Sequence, residues 1–365
     1  MVQALRPRLR FDTLVVELAS AAQVADWHDV GLGTAFRLRM ERRRWQLRAA
    51  RRGRDLISVE NRTKQIGPAD ILAFLTVRNE KPRLPFFLDY YRQLGVHHFL
   101  FVDNGSDDGG VEYLAAQPDV SLWRTDASYR QSRYGTDWMN WLKFRYGHRH
   151  WTLTLDPDEF FVYPFCDTRP LSALCDWLDQ SDIRSFGTLL LDMYPKGPLS
   201  ALSYREGQDP FSLAPWFDPG NYMMSVNPKY RNLWIQGGPR ARVYFEEAPE
   251  EAPSLNKIPL VRWDRKYAFV TSTHMLLPRG LNQVYDKAGG EKASGCLLHA
   301  KFLDTLIEKA AEEVERREHF AHGREYAAYH LKDHGRNGLW SEWSEKFTGW
   351  RQLETLGLMS KGNWA

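Results

Sequence analysis

Between residues 71 and 192 the chain alternates continuous apolar runs with amphipathic stretches, and most of the apolar runs end in a polar cluster. Ile71–Val77 and the run from His98 to Val102 lack a regularly wet alternate position, so they predict strands buried on both faces of a parallel sheet. Between them, Leu84, Phe87, Leu88 and Tyr91 share a helical face, with Pro85 in the first turn and Gly95 as the stop. Val111–Gln117 predicts a short helix, Val120–Trp123 a strand, Trp138–Tyr146 a helix and Trp151–Leu155 a further strand. Leu171–Gln180 then predicts a helix and Arg184–Asp192 a strand. Strands and helices in alternation predict a doubly wound α/β domain.

The flanks read differently. Phe11–Leu18, Phe36–Met40 and Trp45–Ala49 alternate apolar with polar positions, arginines lying opposite the apolar side. They predict a small antiparallel β-rich unit over residues 1–66 with one wet face. Residues 195–239, rich in Pro, Gly, Asn and aromatics, predict a long functional loop. Short strands are expected at Ala241–Phe245, Ile258–Trp263 and Tyr267–Thr273, and a loop at Gly289–Gly295. Leu303, Leu306, Ile307, Ala310 and Val314 fit one face of a helix. Trp340, Trp343, Trp350 and Trp364 predict a tail that packs against the rest. The expected division is a β-rich unit at 1–66, the main domain at 67–302 and a helical, Trp-rich extension at 303–365.

Composition narrows the partners. A chain of 365 residues with 43% hydrophobic and 26% charged content can bury a sizeable core. A net charge of +3 is too small to argue for nucleic acid as a partner of the whole protein. Cys166, Cys175 and Cys296 lack metal-ligand spacing, and their odd number argues against a disulfide framework. Met1–Arg10 has no apolar core of the signal-peptide kind and no run reaches membrane-span length, which predicts a cytoplasmic protein. Peripheral contact with anionic lipid head groups of a membrane, or with a charged glycan, through the arginine-dense 37–54 stretch stays open beside the reading of a solvated face.

Chemistry concentrates where the Trp151–Leu155 strand ends. Asp156-Pro157-Asp158-Glu159 sets three carboxylates within four residues, and apolar Phe160-Phe161-Val162 follows at once. Pro157 stops the strand and holds Asp156 extended. Carboxylates crowded this closely repel one another unless a cation neutralises them. Asp-x-Asp at the carboxyl end of a sheet strand suits a divalent ion that escorts phosphates; the alternative is a polar turn that caps the next element.

Asn79-Glu80 after one strand, Asp103-Asn104-Gly105-Ser106-x-Asp108 after the next, and Leu155-Asp156-x-Asp158-Glu159-Phe160 together resemble the glycosyltransferases of the GT-A fold. The similarity is to the bacterial family-2-like group, akin to family 92, and runs from about Ile71 to Phe302. Asn104 stands where that family commonly carries a second Asp. The resemblance implies a Rossmann-like mixed sheet and a sugar transferred, with inversion, from a nucleotide-sugar donor such as a UDP-sugar to a glycan or glycolipid acceptor, assisted by Mn²⁺ or Mg²⁺. It implies that Thr76 and Arg78 line the nucleotide pocket, that Glu80 braces it or touches the nucleotide and that Asp103 accepts from the base; the residues by themselves equally allow Asp103 to close the strand in an Asx turn. Asp156 would lie near the ribose and the metal, and Asp158 on the metal.

Beside those roles, His274 and His299 are candidates for a further metal ligand or a diphosphate contact, or are structural histidines. Lys257 and Lys301 could neutralise phosphate or be ordinary surface charge, and Gly237–Arg242 could form an anion-binding turn or a tight turn before a strand. Asp192 is the first candidate for the base that deprotonates the acceptor, with Glu291 and Glu247 in reserve. Two rival readings are a sugar nucleotidyltransferase and a non-catalytic glycan-binding protein. The first would want a glycine-rich loop where this chain has Arg78-Asn79-Glu80-Lys81-Pro82. The second has no need of the paired acidic ligands.

Overall fold

The apolar runs from residue 71 onward become the centre of one nine-stranded sheet in the computed structural model, which describes residues 31–284, 292–316, 329 and 338–364. Its strands are β1 (Ile57–Glu60), β2 (Leu72–Val77), β3 (His98–Asp103), β4 (Val120–Arg124), β5 (Trp151–Leu155), β6 (Glu159–Val162), β7 (Ser185–Asp192), β11 (Asn256–Arg262) and β14 (Gly295–His299). The spatial order is β1-β4-β3-β2-β5-β11-β7-β14-β6. β4, β3, β2 and β5 run parallel, β11 is antiparallel to both β5 and β7, and β14 is parallel to β7. Hence β2, β3, β5, β7 and β14 all deliver their carboxyl ends to one edge. β6 and β11, running the other way, start there.

Helices cover the sheet. Leu84–Leu94 buries Leu84, Phe87, Leu88 and Tyr91, and Gly95 ends it in the left-handed conformation at φ 101°. Thr136–Leu142 packs Trp138 and Leu142 on the other side, with Leu72, Phe74, Leu100 and Val102. Leu171–Gln180 buries Leu171, Leu174, Cys175 and Leu178. The molecule is thus a mixed α/β structure around a large mixed sheet, and its three cysteines are free.

Several elements depart from the expectations. Phe36–Met40 and Trp45–Ala49 belong not to strands but to one helix, α1 (Leu32–Arg52). Its apolar residues lie on two opposite faces, so a five-residue window mimics alternation. The absence of any β-branched residue apart from Thr34 is the signal that favours helix. Residues 57–60 join the main sheet by pairing with β4, so this part of the expected β-rich unit is a strand of the main sheet. The expected strand at Phe11–Leu18 lies outside the described residues.

The segment 195–239 contains a hairpin, β9 (Tyr222–Asn227) with β10 (Asn232–Gly237), and a two-residue strand β8 (Trp216–Phe217). Ala241–Phe245 is largely a helical turn, Arg240–Tyr244, because Arg240 and Arg242 are drawn onto two different buried carboxylates, Asp192 and Asp218. β12 (Ala268–Thr271) and β13 (Met275–Leu277) form a separate ribbon. Towards the C-terminus, the helix Thr305–Arg316 buries Leu306 and Ala310. Trp350 and Trp364 pack into the main core, whereas Trp343 is 62% exposed. Among the described residues no helix is long and apolar enough to cross a membrane.

Candidate functional site

The sheet order explains why an acidic turn becomes a site. Asp156–Asp158 carries the chain from β5 to β6, which flank β11, β7 and β14 in the sheet. The turn therefore passes over the ends of those strands and meets whatever side chains they present. β11 presents Lys257 near its start, β7 ends in Asp192 and β14 ends in His299. Paired registers set His299 beside Asp192 on one side and Glu159 on the other.

The contacts follow. His299 Nδ1 lies 2.7 Å from Asp192 Oδ1, and its Nε2 lies 3.4 Å from Asp158 Oδ2. Arg240 Nε donates to Asp192 Oδ2 at 2.7 Å. The Ala300 N–H donates to the Asp158 carbonyl at 2.7 Å, tying the turn to the end of β14. On the β11 side, the Lys257 ammonium lies 2.6 Å from Glu159 Oε1 and 3.3 Å from Asp156 Oδ2. The Asp156 N–H donates to Glu159 Oε2 at 3.1 Å. Asp156 is 49% exposed and Asp158 15%, while Glu159, Asp192, Lys257 and His299 are buried.

Burial and charge oppose each other throughout the cluster. Burial pulls the His299 imidazole down, but Asp158 and Asp192 outweigh it and raise its pKa above the ordinary value. Burial pushes the Asp158 and Asp192 carboxyls up. His299 and Arg83 overcome this at Asp158, Arg240 and His299 at Asp192, and both end lowered. Lys257 is raised because Glu159 and Asp156 outweigh its burial. Glu159 is pushed up to about 7 by burial, with Lys257 opposing and Asp156 and Asp158 reinforcing.

Other expected residues are placed as follows. Asp103 is 1% exposed and accepts from the Gly105 and Ser106 N–H groups through Oδ2, so it closes the turn after β3 and does not face a ligand with that oxygen. Asn104 donates to the Thr125 and Ala127 carbonyls. Arg78 donates to the Asn104 and Gly105 carbonyls and pairs with Glu312 at 3.3 Å. Glu80 pairs with Arg83 at 3.0 Å and with Lys309. His274 Nδ1 is 2.6 Å from the Asn256 carbonyl, and burial, with Lys257 and Arg240 adding, pulls its pKa down to about 3. Its place is that of a neutral ring bound to the Asn256 carbonyl, with the Ser254 hydroxyl 3.2 Å from the same nitrogen. Lys257 spends its charge on two carboxylates, which removes it as a free phosphate contact. Asp192, buried between Arg240 and His299, is unsuited to take a proton from an acceptor; it positions His299. Glu247 is exposed, and Glu291 lies outside the described residues.

One cavity adjoins Asp156, and a second shares Tyr129 with it. The first is small, about 30 Å³, and is lined by Thr76, Tyr129, Tyr134, Thr136, Thr154, Asp156 and Thr273, among others. The hydroxyls of Thr76, Thr154 and Thr273 are buried there without a hydrogen-bond partner among the described residues. Gly135, at φ 75°, keeps it open: a Cβ would come within 2.8 Å of Thr76 Oγ1. The second, an open cavity of about 490 Å³, is lined by Arg78, Asn104, Gly105, Arg124, Asp126 and Tyr129, among others.

Sequence reasoning missed Arg83, Lys309, Thr154 and Thr273 as members of this neighbourhood; each stands in an unremarkable local pattern. Among the described residues no three His, Cys, Asp or Glu side chains are arranged to hold a metal ion on their own. Asp158 and His299 offer two donors on one side, with the ring fixed by Asp192 from behind. Two protein donors suffice where substrate phosphates complete the coordination. No protein-family model matches this chain, and no curated protein matches it.

Proposed function

We propose that this protein is a glycosyltransferase that uses a nucleotide-sugar donor, a UDP-sugar in our reading, and a glycan or glycolipid acceptor, and that it builds on a GT-A-type sheet. The observation that carries the reading is the convergence of Asp156, Asp158, Asp192, Lys257 and His299 at one sheet edge, beside a cavity with three unpartnered hydroxyls.

Asp158 and His299 would hold the divalent ion, whose chemistry is to neutralise the negative charge that develops on a leaving diphosphate. Asp192 fixes the imidazole so that Nε2 faces Asp158. Lys257 holds Asp156 at the mouth of the small cavity, where its half-exposed carboxylate can accept from a sugar hydroxyl. Thr76, Thr154 and Thr273 offer hydrogen bonds to a polar ring, and the wider cavity past Tyr129 gives the rest of the donor room.

The test is calorimetry with UDP and Mn²⁺, followed by a screen of nucleotide sugars for transfer or hydrolysis. Binding of UDP that needs Mn²⁺ and disappears in Asp158→Ala is expected, together with turnover of one donor. Binding of glycans indifferent to nucleotide, metal and Asp158 would replace the proposal with a lectin.

A further inference from the structure

The Leu32–Arg52 helix carries eight arginines and one glutamate in a chain whose net charge is only +3. Its inward face is accounted for. Leu38 and Ala49 are buried, and the Arg133 guanidinium lies 4.0 Å from the Trp45 ring centre. Arg48 pairs with Asp137 at 2.7 Å, and Glu41 accepts from Tyr230 Oη at 2.6 Å.

On the outward side the contacts stay within the helix: Arg37 donates to Thr34 Oγ1 at 3.4 Å, and Arg44 lies 5.6 Å from the Trp45 ring centre. Leu32 is 90% exposed, Phe36 62%, Met40 45% and Leu47 62%. At about 100° per residue these four fall within roughly 80° of arc on the side opposite Leu38 and Ala49. Arg39 runs along one margin of that stripe, Arg37, Arg44 and Arg51 along the other, and Arg43 stands within it; all five are exposed. Among the described residues none of the five pairs with a carboxylate; burial, with repulsion from Arg39 and Arg43 adding, lowers the pKa of neighbouring Arg42. Trp141 and Phe144, stacked with centres 6.0 Å apart, extend the apolar surface beside Leu47 around a groove of about 320 Å³.

We propose that this face docks on an anionic phospholipid surface. An apolar stripe between rows of arginine is the pattern of a helix lying in a bilayer interface, its aliphatic side chains among the acyl chains and its guanidinium groups on lipid phosphates. A polyanion alone would use the arginines and leave Leu32, Phe36, Met40 and Leu47 in water. The aromatic pair at the rim suits the headgroup depth. The proposal is independent of the transferase reading.

The test is co-sedimentation of the full chain with phosphatidylcholine vesicles, with and without about a third of phosphatidylserine, across ionic strength. Binding to the anionic vesicles only, weakening with salt, is expected. Phe36→Asp with Leu47→Asp should weaken it at least about tenfold, and Arg43→Gln with Arg51→Gln by about tenfold or more, with melting temperature unchanged. No vesicle binding by the full chain overturns the proposal. A Phe36/Leu47 variant that loses self-association instead identifies a second copy of the chain as the partner. Equal binding to neutral vesicles, or Phe36→Asp/Leu47→Asp without effect while the arginine variant loses binding, overturns it too. The latter result points to a soluble polyanion.

Discussion

The His299 ring stands between two carboxylates, and its nearer partner, Asp192 at 2.7 Å, holds it so that the opposite nitrogen faces Asp158. Replacing Asp192 by Asn keeps the shape of the contact and removes its charge. Asp192→Asn should lower the His299 pKa, read by NMR titration of the imidazole. It should also weaken Mn²⁺-dependent UDP binding by about 10–100-fold, read by calorimetry. An unchanged His299 titration would remove the positioning role.

The pH dependence has a definite sign. The folded pKa of His299 is raised above 6.5, so its stabilising contribution is complete below about pH 6.5 and is lost as pH rises through the raised value. Asp158 and Asp192 are lowered below 3.8; their contribution is complete above about pH 3.8 and is lost as pH falls through the lowered values. The stability difference between wild type and His299→Gln should therefore be largest between about pH 4 and pH 6.5, by denaturant unfolding. Metal affinity should move the other way and rise with pH through the His299 titration, because a ligating imidazole must be neutral.

Lys257→Met leaves Glu159 and Asp156 without their cation. With Glu159 buried, the loss should be about 3–5 kcal/mol in urea unfolding. Adding Glu159→Gln should recover part of it. If the double variant is no more stable than the single one, the ion pair is not what holds the turn.

Thr76→Val and Thr154→Val remove hydroxyls that are buried without partners. Each should leave the unfolding midpoint unchanged or raised, since an unsatisfied polar group is lost. Each should also weaken nucleotide binding. Destabilisation by more than about 1 kcal/mol would mean that the hydroxyls serve the fold, not a ligand.

Lys143 is fully buried, with Nζ 3.0 Å from Thr152 Oγ1 and 4.6 Å from the Phe74 ring centre. Burial holds its pKa well below 10.5. The unfolded chain therefore binds a proton that the folded chain resists, and the resulting penalty grows as pH falls below about 10.5. Lys143→Met should be at least as stable as wild type at pH 7, with Thr152 still donating to the Val261 carbonyl. A loss of several kcal/mol would contradict this.

Local pattern was enough to mark β2, β3, β5, β7 and the helices between them. These are strands without a wet face and helices with one apolar stripe, and Asp103 and Asp156 sit at or just beyond strand ends. It failed at α1, where apolar residues on both faces erase the stripe, and at Arg240–Tyr244, where two distant carboxylates decide the backbone. The role of Asp103 was open from sequence as either a ligand contact or a turn, and its N–H partners select the turn.

The amino-acid order by itself determined that an acidic turn interrupts two apolar strands, because proline and crowded carboxylates permit little else there. Which side chains answer that charge was decided only when β11, β7 and β14 entered the sheet between β5 and β6. Lys257, Asp192 and His299 are far from Asp158 along the chain, and no local periodicity encodes a pairing between strands. Strand order brings them together, and burial then fixes their charge states.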